Sequence, residues 1–213
     1  MDYSIALFTL KQADPILGAL IEQVGPYNLH QEQQRDLLFA LSKSILYQQL
    51  SGKAAATIHC QFLQLYPDKP YPTAEDILST PDELLRGAGI SRSKVIYLKD
   101  LAQKVLDGLP TLAELEQMED ETVIQTLIPV KGIGRWTVQM LLIFHLGRWD
   151  VLPVDDLGIR TGIRRVYNLS ELPNKRTVET MASPWKPFRT IASWYLWRSL
   201  DISPLHLLPE ITN

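Results

Sequence analysis

Two neighbouring carboxylates and a turn containing two glycines stand out as groups that could take part in chemistry. Asp155 and Asp156 precede a helix-like run, where a carboxylate can cap a helix or stabilise positive charge on a substrate. Upstream, Gly132 and Gly134 permit backbone angles and a close approach that a side chain would forbid. Because N–H groups at the start of a helix carry partial positive charge, this turn suits a phosphate. The alternative is an ordinary helical hairpin whose glycines only form the turn.

The chain that must position these groups has the pattern of a helical protein. Apolar residues recur at helical spacing in residues 121–128 and 135–146, which predicts a helix-hairpin-helix over about 121–146. Further helices are expected after Asp14, which can cap a run that begins at Pro15, and over residues 33–50. Since no alternating strand pattern is longer than a few residues, the fold class is all-α. No linker marks a domain boundary, so residues 1–213 form one unit.

Composition describes an ordinary globular protein. The chain has 213 residues, 46% of them hydrophobic and 21% charged, and no apolar run long enough to span a bilayer. Its single cysteine, Cys60, excludes an internal disulfide and any four-cysteine metal or iron–sulfur centre. The N-terminus lacks the basic region of a secretory signal. We therefore expect a cytoplasmic protein, associated with the nucleoid in a bacterium or nuclear in a eukaryote.

Charge is distributed unevenly along the chain. The formal net charge is −3, which argues mildly against a nucleic-acid partner. Residues 131–176, however, contain eight Lys and Arg against four Asp and Glu, whereas residues 1–130 contain ten against seventeen. Because phosphate binding depends on local charge, a DNA-contact face in the basic stretch is compatible with an acidic protein. A solvated face without a partner is the alternative.

These motifs resemble those of the helix-hairpin-helix DNA glycosylases, and most of all the 3-methyladenine DNA glycosylase II branch. The match is carried by KGIGRWTVQ at 131–139 and VLPVDDLGIRTGIRR at 151–165, which occur in family order and spacing. YQQLSGKAAATI at 47–58, LRGAGISRSKVIYLKDLA at 85–102 and WKPFRTIASWYLW at 185–197 resemble other blocks of the family. The resemblance implies two helical lobes with a DNA-binding cleft between them.

The resemblance also implies which residues carry the activity. Asp156 is the expected catalytic acid because it directly precedes the Leu-Gly-Ile-Arg tail; alignment on the looser Val-Asp pattern of endonuclease III relatives selects Asp155 instead. The expected base-pocket residues are Trp136, Trp197, Met140, Tyr47 and Gln48. The expected DNA-binding residues are Gln49, Ser51, Lys131, Gly132, Ile133, Gly134, Arg135 and Arg160. The polar residues at 48–51 could equally be no more than the polar end of a helix.

Two positions depart from patterns found elsewhere in the superfamily. Bifunctional members carry a Schiff-base lysine where this chain has Trp136, so water is the expected nucleophile and strand cleavage is not expected. Met140 stands where a bacterial relative has a tyrosine, which bears on the breadth of lesions accepted.

On α-helical spacing, Tyr97 should pack in the interior, while Lys94 and Lys99 should lie in solvent.

The function implied is monofunctional excision of alkylated purines, such as 3-methyladenine and 7-methylguanine, by base flipping and Asp-assisted hydrolysis of the N-glycosidic bond. The partner is double-stranded DNA containing damaged bases, and a monomer is expected. No metal or cofactor is required, although a monovalent cation could bind the hairpin carbonyls. The alternatives are a glycosylase for a mismatched or oxidised base and a non-catalytic helix-hairpin-helix module that only holds DNA.

Overall fold

The structure is a computed structural model and describes residues 3–30 and 36–202. Over these ranges the chain forms thirteen α-helices, one short 3₁₀ helix (Ser183–Trp185) and no strand, which confirms the predicted all-α class. The α-helices, in chain order, are α1 Ser4–Ala13, α2 Pro15–Val24, α3 Leu37–Tyr47, α4 Gly52–Gln64, α5 Ala74–Ser79, α6 Asp82–Gly87, α7 Arg92–Leu106, α8 Leu112–Glu116, α9 Asp120–Leu127, α10 Arg135–Phe144, α11 Leu157–Val166, α12 Lys175–Met181 and α13 Arg189–Ser199.

The helices fall into two compact units. The terminal unit combines residues 1–31 with residues 147–213 and holds α1, α2, α11, α12 and α13. The central unit is residues 32–146 and holds α3 to α10. In the part of the chain that the structure describes, no helix is long and apolar enough to cross a membrane.

In the central unit, α7 packs against α3, α5 and α6. Its apolar residues Val95, Leu98 and Leu101 are fully buried, as helical spacing requires of one face. Ser91 begins the helix by accepting a hydrogen bond from the Lys94 N–H with its hydroxyl, at 3.4 Å.

The ends of α3 and α10 differ from the sequence prediction, and α3 stops at Tyr47 rather than at residue 50. α3 begins after Asp36, whose carboxylate accepts a hydrogen bond from Phe39 N–H at 2.7 Å; the predicted start at residue 33 lies outside the described residues. α10 ends two residues earlier than predicted, because the Leu146 N–H bonds back to the Leu141 carbonyl and Gly147 follows with a φ of +62°. The left-handed backbone of Gly147 then turns the chain away from the helix axis.

The Asp14 side chain connects three elements of the terminal unit through hydrogen bonds. Its Oδ1 caps α2, as the sequence predicts, by accepting from the N–H groups of Ile16 at 3.1 Å and Leu17 at 3.0 Å. Its Oδ2 accepts from the Tyr167 hydroxyl at 2.5 Å and from the Trp185 indole N–H at 2.8 Å. Burial and this carboxylate together raise the pKa of the Tyr167 hydroxyl. One side chain therefore joins α2 to the end of α11 and to the 3₁₀ helix.

We predict that Asp14→Ala lowers the free energy of unfolding by about 2 to 4 kcal/mol, since the cap is lost and a buried indole N–H loses its acceptor. Asp14→Asn should cost less, because its amide oxygen can still cap α2. Urea unfolding followed by circular dichroism measures both. A loss below about 1 kcal/mol for the alanine variant would contradict this role for Asp14.

Candidate functional site

The glycine turn lies between α9 and α10, and its two glycines have different reasons to be glycine. Gly132 has a φ of +80°, and a Cβ there would lie 2.3 Å from Cδ2 of Tyr97. Gly134 has a φ of −99°, which any residue adopts, and a Cβ there would meet nothing within 4 Å. The expectation that both glycines need special backbone angles is therefore wrong for Gly134. Its missing side chain leaves the start of α10 open.

The turn at residues 48–51, between α3 and α4, is bonded to the glycine hairpin. Gln48 Nε2 donates to the Gly132 carbonyl at 2.8 Å. Gln49 is held at a φ of +55°, a left-handed conformation that costs free energy in a residue other than glycine. Leu50 is exposed, and the Ser51 hydroxyl caps α4 by accepting from the Ala54 N–H at 3.4 Å. Helix capping therefore accounts for Ser51, but not for Gln48 or Gln49.

Lys94 does not lie in solvent as expected. Its ammonium donates to the carbonyls of Leu46 and Gln48, each at 2.8 Å, at the C-terminal end of α3. Burial lowers the pKa of this ammonium. Lys99, on the same helix, keeps only partial exposure and pairs with Asp82 at 2.5 Å.

A pocket of about 860 Å³ in the central unit brings together four of the five expected base-pocket residues: Tyr47, Gln48, Trp136 and Met140. Trp136 is 44% exposed, so its ring is accessible for stacking. Lys43, Lys94 and His145 also line this pocket, which the sequence did not predict.

The fifth expected pocket residue, Trp197, lies in the terminal unit beside the expected catalytic acid. Its indole N–H donates to Oδ1 of Asp156 at 2.9 Å. The same oxygen accepts from the Ile159 N–H at 2.8 Å, which makes Asp156 the N-terminal cap of α11. Two fixed donors therefore orient the partly buried Asp156 carboxylate. Capping and catalysis, which were alternatives for this pair of acids, are compatible in one residue.

Asp155 has a different environment. Its side chain is 44% exposed and forms an ion pair with Lys175 at 2.5 Å. A carboxylate that is exposed to water and paired with a lysine is poorly suited to stabilise a charge on a substrate. The geometry favours Asp156 over Asp155.

Two glycines on α11 allow Trp197 to reach Asp156. A Cβ on Gly162 would lie 2.7 Å from the Leu196 carbonyl oxygen, so α11 and α13 approach more closely than a side chain would allow. One turn earlier, a Cβ on Gly158 would lie 3.0 Å from Cδ1 of Trp197 and 2.9 Å from Oδ1 of Asp156. The glycines in the quoted tail are therefore required by packing.

The expected phosphate-binding cations are engaged with other groups in the structure. Lys131 Nζ lies 3.3 Å from Oδ1 of Asp100, and Oδ2 of the same carboxylate accepts from the Lys131 N–H at 2.9 Å. Arg135 binds both carboxylate oxygens of Glu121 and lowers the pKa of that carboxyl. Exposed pairs of this kind are weak, so a phosphate can replace the carboxylate. In the terminal unit, Arg160 Nε donates to the carbonyl of residue 173 at 2.8 Å.

Comparison with known proteins identifies the family. A model described as HhH-GPD superfamily base excision DNA repair protein matches residues 42–187. The chain belongs to the HhH-GPD superfamily. It is 40% identical to DNA-3-methyladenine glycosylase 1 of Schizosaccharomyces pombe, over 86% of this chain and 82% of that protein. It is 30% identical to the DNA-3-methyladenine glycosylase of Saccharomyces cerevisiae, over 92% of this chain and 79% of that protein.

Solved structures of this superfamily superpose on most of the chain. The S. pombe 3-methyladenine DNA glycosylase Mag1, in complex with abasic DNA, matches with a TM-score of 0.86 and 37% identity over 94% of this chain and 98% of that one. The DNA-3-methyladenine glycosidase of Bacillus halodurans gives a TM-score of 0.83 and 35% identity, over 92% of this chain and 89% of that one.

The two hairpin glycines give a matched pair of variants. We predict that Gly132→Ala lowers the melting temperature, because the new Cβ meets Tyr97 and the positive φ is strained. Gly134→Ala should leave the melting temperature nearly unchanged but weaken binding to damaged and undamaged duplex alike, since a phosphate contact carries no sequence information. Thermal unfolding and fluorescence anisotropy measure the two effects. Unchanged affinity of Gly134→Ala for both duplexes would show that the hairpin does not bind the DNA backbone.

Proposed function

We infer that the protein is a base excision DNA glycosylase that removes alkylated purines from duplex DNA by hydrolysing the N-glycosidic bond. The observation that carries this inference is the Asp156 carboxylate, which the Trp197 indole and the first turn of α11 hold in one orientation. The relatives named as 3-methyladenine glycosylases, to which the chain is similar over most of its length, support the substrate class.

The hairpin at residues 128–134 supplies DNA affinity in this proposal. Open space at Gly134 lets a phosphate approach the first N–H groups of α10, where the helix dipole favours negative charge. Lys131 and Arg135 flank the turn and can exchange their carboxylate partners for phosphates. The nearby turn at residues 48–51 presents Gln49 and Leu50, and we propose that it enters the helix as the base leaves the stack.

The pocket of the central unit supplies recognition of the base. A purine alkylated on a ring nitrogen is cationic, so an exposed aromatic face such as that of Trp136 attracts it by a cation–π contact. Met140 adds a polarisable and adaptable surface. Lys43 and Lys94 also line the pocket, but the Lys94 ammonium is directed at two backbone carbonyls and the Lys43 ammonium lies over the ring of Phe39.

In the reaction, the electron pair of the glycosidic C–N bond leaves with the base, and positive charge develops on the sugar. A cationic alkylated purine becomes neutral as it departs, so the bond breaks more easily than for an undamaged base. A fixed carboxylate such as Asp156 stabilises the charged sugar. A water oxygen then bonds to the anomeric carbon and loses a proton, which leaves an abasic site.

A bound cofactor is not part of this proposal. Among the described residues, no group of three or more His, Cys, Asp or Glu is placed to hold a metal ion. We propose that the hairpin carbonyls can hold a monovalent cation. Gly132 O accepts from Gln48, and a carbonyl oxygen has a second lone pair for such an ion.

We predict that Asp156→Asn keeps the fold, because asparagine also caps helices and its oxygen can accept from the same two donors. Base release should fall about a hundredfold or more, since the amide carries no charge to balance that of the sugar. Asp155→Asn is the matched control and should retain most of the activity. Substrates are duplexes with one 3-methyladenine, 7-methylguanine, hypoxanthine or uracil, cleaved with alkali after incubation.

Three outcomes of that assay would overturn parts of the proposal. Activity of Asp156→Asn near that of the wild type would remove Asp156 from catalysis, and inactivity of Asp155→Asn alone would exchange the two roles. Release of uracil but of no alkylated purine would reject the substrate class.

We predict that borohydride traps no protein–DNA complex during turnover, because tryptophan at position 136 provides no amine for a Schiff base. DNA strands should remain intact until alkali is added. Lys131→Ala is the control, since Lys131 is the nearest lysine in sequence. A complex trapped with the wild type and lost in Lys131→Ala would contradict water as the nucleophile.

A further inference from the structure

α7 faces the two segments that are proposed to touch DNA. Lys94 lies in its first turn and Tyr97 one turn later, and both are partly buried on the side of the helix that carries the buried Leu98 and Leu101. Lys94 bonds to the end of α3 at Leu46 and Gln48, while Tyr97 lies against Gly132 in the hairpin. A single helix thus supports both segments.

The bonds that Lys94 makes are specific to the end of a helix. The last carbonyls of α3 have no partner within the helix, and an ammonium there satisfies them and complements the helix dipole. Each of its two contacts is a charge-assisted hydrogen bond at 2.8 Å. Lys94, which lines the pocket, is therefore joined to the end of α3.

The turn that Lys94 holds is not one the chain would adopt unaided. Gln49 stands at a φ of +55° directly after Gln48, one of the two residues whose carbonyls Lys94 binds. Such conformations persist only where the surroundings fix them, and they are common at functional sites. The side chain of Gln48 extends the same network to the Gly132 carbonyl. Lys94 is thus linked through Gln48 to the hairpin.

We propose that Lys94 is a positioning residue for base flipping. It fixes the position of the turn at residues 48–51 relative to the glycine hairpin, so that Gln49 and Leu50 enter the DNA helix while the hairpin binds the DNA backbone. This inference rests on the proposed glycosylase function. Lys94 itself touches neither the base nor the phosphates, because its ammonium is directed at protein carbonyls.

The test compares wild type with Lys94→Met, which keeps the aliphatic length and removes the donors, and with Lys94→Arg, which restores them. Lys99→Met is the matched control, since Lys99 is on the same helix but pairs with Asp82. Single-turnover excision is measured on a 7-methylguanine duplex and on the same lesion inside a small mismatched bubble. Bases in a bubble are already unpaired, so flipping costs little there.

We expect Lys94→Met to slow excision from the paired duplex by roughly tenfold or more, because even a small displacement of the groups that position a substrate lowers the rate. Excision from the bubble should slow much less. Lys94→Arg should recover most of the loss, and Lys99→Met should behave as the wild type. 2-Aminopurine beside the lesion should show less unstacking with Lys94→Met. The salt dependence of binding should not change, whereas loss of a phosphate contact would lower the slope by about 0.9.

Other outcomes would show which part of the proposal is wrong. Equal slowing on paired and bubble substrates, or wild-type rates for Lys94→Met, would overturn the positioning role while leaving the glycosylase function intact. A lower salt slope would make Lys94 a phosphate contact instead. If Lys94→Met does not fold, Lys94→Gln, which keeps a donor amide, is compared on the same two substrates. Failure of the wild type to excise any lesion would instead reject the glycosylase function.

Discussion

The close packing of α11 on α13 is the constraint on which the proposed catalytic group depends. Gly162 allows the backbone of α13 to approach at Leu196, and Gly158 leaves room for the Trp197 ring. Only at this distance can the indole N–H reach Oδ1 of Asp156, while the Ile159 N–H bonds to the same atom from within α11. A carboxylate fixed by hydrogen-bond donors keeps its direction, as electrostatic stabilisation of a transition state requires.

The surroundings of the carboxylate also distinguish Asp156 from the adjacent Asp155. Asp155 and Asp156 share a sequence context, but the chain direction at the start of α11 places one carboxylate in the helix cap and the other next to Lys175. Two residues that are chemically identical thus receive different environments. A fixed anion can act on a substrate charge, whereas an exposed ion pair is screened by water and by its own partner.

Sequence patterns predicted the helices, their caps and the hairpin well, because these depend on local spacing. Asp14 as a cap and the glycine turn at Gly132 are examples. What could not be predicted were contacts between residues distant in sequence. Helical spacing placed Lys94 in solvent, yet its partners Leu46 and Gln48 lie more than forty residues away in the sequence. The hydrogen bonds that Asp14 accepts from Tyr167 and Trp185 could not be predicted for the same reason.

The central claim is that Asp156 stabilises positive charge on the sugar, and binding of two abasic-site analogues tests it most directly. Duplexes are made with a neutral tetrahydrofuran or a cationic pyrrolidine in place of the damaged nucleotide, and affinities are measured for the wild type, Asp156→Asn and Asp155→Asn. Because an enzyme binds its transition state more tightly than its substrate, the wild type and Asp155→Asn should prefer the cation by about tenfold or more. Asp156→Asn should lose that preference while it binds the neutral analogue as well as the wild type does. An undiminished preference for the cation in Asp156→Asn would contradict the account.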